Sequence, residues 1–145
     1  MAPKSETVGE GEFAGWQRWL AEPFEDKIGP FHHRIDESGR FVAAFRADRS
    51  HTNGLEIVHG GCLLAFMDYA LFALAARHCD GQEAVTVAVA SEFIGAGRIG
   101  DLILAYPEIV RLGGRLIFMR GLVRIAEKPV LSFSGTLMRV PAPAK

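Results

Sequence analysis

The polar residues best suited to chemistry gather in one stretch: Asn53, His59, Gly60, Gly61 and Asp68, followed by Thr86. Gly60 and Gly61 stand where a long apolar run begins, at the expected start of a helix. A helix start presents unpaired N–H groups and a partial positive charge. Glycine there lets a ligand approach the backbone closely. Together these features suit an oxyanion site for a polarised carbonyl. Asp68 is the only charged side chain between His59 and Arg77. Burying a carboxylate costs several kcal/mol even after relaxation, so its place inside an apolar helix argues for use as a general base or a nucleophile. The plainer alternative is a carboxylate satisfied by an arginine or by backbone amides. Likewise His59 could serve as a loop cap, Asn53 as a turn residue, and Thr86 as an ordinary strand residue.

Spacing limits how these groups act together. Gly60 and Asp68 are eight residues apart, roughly 12 Å along a helix axis. A carbonyl carbon must lie about 3 Å from its attacker, with its oxygen about 3 Å from the donor. One helix cannot bring its own Gly60 and Asp68 to one carbonyl. Two such helices, antiparallel across a two-fold axis, could, and each site would then combine Gly60 of one chain with Asp68 of the other.

The elements that must position these residues follow from pattern. Residues 1–10 read as a disordered tail and 11–145 as a single domain, a size that one core can serve. Apolar residues at 13, 16 and 20 predict a short N-terminal helix ended by Pro23. Two strands are expected at about 30–36 and 40–47, around a turn at Asp36-Glu37-Ser38-Gly39. The segment 49–58 has no regular period. A helix over 60–77 follows, apolar all round, with Gly81 as a left-handed cap. Four strands at 84–94, 101–112, 115–126 and 130–140 complete the chain, with a Gly113-Gly114 hairpin and a turn at Glu127-Lys128-Pro129. The fold class is α+β: one long central helix wrapped by a curved antiparallel sheet of about six strands.

Composition narrows the functional classes. Apolar residues make up 49%, charged residues 23%, and the net charge is −1, so no electrostatic footprint for nucleic acid is present. The 17-residue apolar stretch 60–76 carries a central carboxylate, which speaks against a membrane span. Cys62 and Cys79 are too far apart on one helix for a disulfide and read as reduced thiols of a cytoplasmic protein. Cys62 lies in the first helical turn, but a small core residue is the better reading than a nucleophile. No His/Cys cluster suggests a metal. Residues 95–100 match GxGxxG, yet a strand pattern follows where dinucleotide binding needs a helix. No GxSxG elbow is present.

The run His59-Gly60-Gly61, an apolar helix and Asp68, with Asn53 six residues before His59 and Thr86 eighteen after Asp68, resembles the signature of the hotdog-fold acyl-CoA thioesterases, nearest to the phenylacetate-degradation type. The likeness covers about residues 38–140, and includes Ser91-Glu92-Phe93 to Gly100-Asp101. It implies a hydrolase releasing free acid and CoA. Asp68 would be general base or nucleophile, and the Gly60 amide would polarise the carbonyl. Asn53 and His59 would orient the thioester. Thr86, where the family often has serine, would hold the attacking water. Gly61, Tyr69, Phe72 and Phe93 are candidate substrate contacts, and Arg98 is the candidate phosphate contact. CoA enters as part of the substrate, so no separate cofactor is expected. A homodimer with composite sites is implied, and a tetramer by family likeness. Two other functions fit the same elements: a non-catalytic acyl-CoA-binding module, and an enoyl-thioester hydratase or dehydratase, whose Asn-Pro-type loop Asn53-Gly54-Leu55 lacks.

Overall fold

The computed structural model describes residues 4–142. Eight strands among them form one antiparallel sheet in the order β1-β2-β3-β4-β6-β7-β8-β5. They are β1 (Ser5–Thr7), β2 (Gln17–Trp19), β3 (His32–Ile35), β4 (Phe41–Arg46), β5 (Glu83–Phe93), β6 (Leu102–Leu112), β7 (Leu116–Ile125) and β8 (Lys128–Val140). Two helices accompany them, the single turn α1 (Glu25–Ile28) and the long α2 (Gly60–Ala75), which a 3-10 turn extends through His78.

Helix α2 forms where the sequence pattern places it. His59 caps its start in extended conformation, and neither proline nor a further glycine interrupts it before Gly81. It packs on β4, β5, β6, β7 and β8. Leu63, Phe66, Met67 and Leu71 meet Phe45, Ile103, Ile117, Leu131 and Leu137 in a fully buried core. Glycine makes one contact of this layer possible: a Cβ on Gly135 of β8 would stand 2.5 Å from Leu71 Cδ1. Asp80 and Gly81 then turn through left-handed conformations into β5.

Four expectations need correction. The sheet has eight strands, not six, because β1 and β2 are three residues each, too short to show a period of two. Strand β1 also occupies part of the tail expected to be disordered over 1–10, while residues 1–3 lie outside the described residues. The N-terminal helix expected over 13–20 is absent. Gly11 and Gly15 adopt φ of +82° and +84°, which breaks a helix and turns the chain back on itself. Phe13 and Trp16 then pack edge to face on the outer side of the sheet with Val42 and Ala44. Trp19 turns to the helix side, against Phe72 and His33. Apolar spacing suited to a helix here serves a hairpin with two packed faces. The last turn also moves: Ala126 and Glu127 make it, and Lys128 and Pro129 open β8.

Candidate active site

The tip of α2 is built by His59 and the two glycines after it. The His59 Nδ1 accepts the Gly61 N–H at 2.8 Å, which leaves the proton of a neutral imidazole on Nε2. The His59 carbonyl accepts from Cys62 and Leu63. The Gly60 N–H, at the first helical position, has no acceptor among the described residues. A Cβ on Gly61 would stand 3.0 Å from His59 Nδ1, and one on Gly60 would stand 3.2 Å from the Phe93 ring. Glycine at both positions therefore permits the imidazole cap on one side and the Phe93 ring on the other.

The loop before the helix is fastened to it. His51 is buried, its Nδ1 accepts the Asp48 N–H, and its carbonyl accepts the His59 N–H. Asn53 Oδ1 accepts the Leu55 N–H at 2.9 Å, a tight turn closed further by Asn53 N–H to the Ile57 carbonyl. Arg98 lies beside this loop through a backbone bridge to Ile57, with its own N–H donated to Asp101 and its side chain exposed. A cavity of about 300 Å³ opens between Arg49, Asn53, Glu56 and Ile99.

Asp68 stands two turns further along α2. Thr86 Oγ1, on β5, donates to its Oδ1 at 2.7 Å. The sequence expectation that Asp68 is buried does not hold within one chain, where it is exposed. The helix is not covered all round either. Gly61, Leu64, Ala65, Asp68 and Phe72 form a stripe that the sheet leaves exposed or half-covered, and Asp68 is its one charged member. The structure thus brings Asp68 to Thr86, and His59 to Gly60, Gly61, Phe93 and the Asn53 loop. It keeps these two groups apart along the helix, as the spacing required.

The remaining candidates divide. Phe72, one turn beyond Asp68, is half-buried with its ring edge toward Trp19. Tyr69 is fully buried on the opposite side, with its hydroxyl 2.7 Å from His33 Nδ1 and 3.2 Å from the Phe31 carbonyl. Its place is in the core network. Burial pushes the Cys62 thiol up to about 11, with a contribution from Asp48, which disqualifies it as a nucleophile near neutral pH. Both cysteines are free thiols.

Sequence reasoning missed Glu25 and Trp19. With Arg18, Leu20, Asp26, Pro30 and Phe31 they line a cavity of about 250 Å³ on the α2 side of the N-terminal segment. Glu25 titrates at about 7, raised by burial and by the negative charges of Glu22, Asp68 and Asp26. No pattern announced it, because it sits on a four-residue helix between Pro23 and Pro30.

Comparison with known proteins bears on this arrangement. The family model described as the Thioesterase superfamily matches residues 55–132, more than half of the chain. The Pseudomonas aeruginosa protein PA0474, provisionally designated an esterase, is 34% identical over 116 residues, covering 79% of this chain and 87% of its own. The Bacillus halodurans protein BH2602, solved with CoA, superposes with a TM-score of 0.71 at 26% identity over 77% of this chain and 74% of its own. PaaI of the E. coli phenylacetic acid degradation operon does so with a TM-score of 0.72 at 22% identity, covering 86% and 89%. The long apolar helix could by length and composition cross a membrane, but half of that stretch is buried in the protein, where it serves as the filling of the hotdog fold. With the matched region running from the Asn53 loop through α2 into β8, the chain belongs to the thioesterase superfamily.

Proposed function

We propose that the chain hydrolyses acyl-CoA thioesters to the free acid and CoA. The observation that carries this reading is the Asp68 carboxylate, fixed by Thr86 on an otherwise apolar, uncovered helix stripe. A carboxylate held by one oxygen keeps the other available as a base or nucleophile. In the general-base course, Asp68 takes a proton from a water as the water oxygen bonds to the thioester carbon. The carbonyl oxygen becomes an oxyanion and rests on a Gly60 N–H, with His59 Nε2–H as a second donor. The C–S bond then breaks, and the proton held by Asp68 passes to the departing CoA sulfur.

The oxyanion donor comes from a second copy of the chain. Strand β5 is an edge of the sheet, and Val85, Val87 and Val89 along it are 44%, 54% and 47% exposed. Pairing two β5 strands would continue the sheet and set the uncovered stripes of two α2 helices against each other. Each site would combine Asp68 and Thr86 with the partner's Gly60. The outer sheet face, with Val110 and Phe118 exposed, supplies a contact for joining two such dimers into a tetramer. Arg98, together with Arg49 near Asn53, would meet the CoA phosphates. Two free thiols suit a cytoplasmic location.

The test is thiol release from a panel of acyl-CoAs. Asp68→Asn keeps the acceptor for Thr86 but cannot take a proton. It should lower kcat by about 10²–10⁴-fold. Equal rates in the native and variant proteins would remove Asp68 from the mechanism. A native protein that binds acyl-CoA and releases no thiol would mark a binding module instead.

A further inference from the structure

We propose that Glu25 is a specificity-determining residue of this site: its carboxyl, lining the cavity behind Phe72, admits acyl groups with an uncharged far end and turns away those ending in a carboxylate. The proposal rests on the thioesterase reading and adds the chemical class of the acyl group to it.

The path to the cavity is laid out by α2. Asp68 marks where the thioester carbon must be attacked. Phe72 lies one helical turn on, about 5.4 Å along the axis. Its ring meets the edge of Trp19 at 6.3 Å between centroids, and Trp19 and Glu25 are walls of one cavity. An acyl chain leaving Asp68 along Phe72 reaches that cavity next. Its volume of about 250 Å³ corresponds to roughly eight water-sized groups at about 30 Å³ each, enough for a short acyl tail.

The charge pattern around the cavity is one-sided. Glu25 makes no ion pair or side-chain hydrogen bond among the described residues. Arg18 is the cation in the cavity wall, but Glu6 holds its guanidinium at 2.5 Å. The other charges that act on Glu25 are Glu22 and Asp26 on its own segment and Asp68 on α2, and Glu25 in turn acts on Tyr69 of α2. A half-buried carboxyl placed among carboxylates, with the nearby arginine already engaged, is unfavourable for folding. It makes the cavity hostile to a further negative charge. Screening in so confined a site is weaker than in bulk water.

The experiment compares two acyl-CoAs of equal chain length, one ending in a methyl group and one in a carboxylate, by kcat/KM between pH 6 and 8.5. The native protein should prefer the methyl end by about tenfold or more at pH 8, a difference of about 1.4 kcal/mol. The preference should shrink below about pH 7 as Glu25 takes up a proton, while the substrate carboxylate stays charged. Glu25→Gln should reduce the preference at pH 8 and flatten its pH dependence. Glu25→Lys should reverse it. If both variants hydrolyse the pair with the native ratio, the assignment of Glu25 is wrong and the thioesterase reading stands. If the native protein releases thiol from no acyl-CoA, both fall together.

Discussion

At the scale of single residues, the site depends on which atoms are already engaged. Thr86 gives its hydroxyl proton to Asp68, so its contribution is to hold that carboxylate in one orientation. A hydrogen bond to a charged group is worth about 1.5–3 kcal/mol, which corresponds to roughly 10–100-fold in rate when it acts on the transition state. Thr86→Val, nearly isosteric and native-like in a β strand, should therefore lower kcat by about that factor with its circular dichroism unchanged. A kcat within about twofold of native would show that Asp68 is oriented by other means. Asp68, His59 and Gly60 stand out in the sequence as candidates because they lie on or at the tip of a strong helix pattern, and Thr86 because it lies on the strand that follows. The sequence conceals Glu25 for the opposite reason. A carboxylate in a proline-bounded loop looks like any solvated surface charge, and only folding half-buries it in a cavity wall within reach of the Asp68 charge.

At the scale of elements, α2 is both the core and the platform of the site. One face buries Phe66, Met67 and Leu71, while the stripe through Leu64, Asp68 and Phe72 stays open. A helix with apolar residues all round announces that it must be covered, and the sequence showed that much. Which face the sheet takes depends on strand curvature and register, which no local pattern encodes. The N-terminal segment departs from the helix its sequence suggests because Phe13, Trp16 and Leu20 mimic a helical period while Gly11 and Gly15 fold the chain into a hairpin. The hairpin also covers two buried histidines of β3, His33 on the α2 side beside Tyr69 and Trp19, and His32 on the outer side beneath Phe13. His33 titrates at about 4, lowered by burial first and then by Arg77 and His32, and burial also lowers His32. A histidine with a depressed folded value binds fewer protons in the folded state than in the unfolded one between about pH 4 and 6.5. Stability should hold above about pH 6.5 and fall as the pH drops through that window, by about 3 kcal/mol for His33. Urea unfolding at pH 7 and pH 4.5 measures this, and His33→Gln should reduce the difference. An equal acid sensitivity in that variant would assign the loss to other groups.

At the scale of the whole molecule, the proposed dimer gives each chain half of two sites. The Gly60 tip and the Asp68 carboxylate lie two helical turns apart, and in that dimer a second chain would bring the complementary half to each. Activity should then follow the population of dimer. Specific activity should fall on dilution below the dimer dissociation constant, in step with the sedimentation coefficient, and return on concentration. Activity independent of concentration, in a protein shown to be monomeric by sedimentation, would rule out a shared site. The proposal of a composite site follows from an eight-residue spacing, because helix geometry is rigid. The proposed acyl preference has no such signal, because it rests on residues far apart in the chain.

The eleven residues of β5 bear on the life of the newly made chain. One side of that strand pairs with β8, and along the other, from Val85 to Val89, no strand pairs with it among the described residues, while its valines are exposed. Such a rim templates indiscriminate strand addition. A protomer waiting alone would thus be exposed to misassembly with any extended segment nearby, and rapid self-recognition along β5 would protect solubility as well as complete the chemistry.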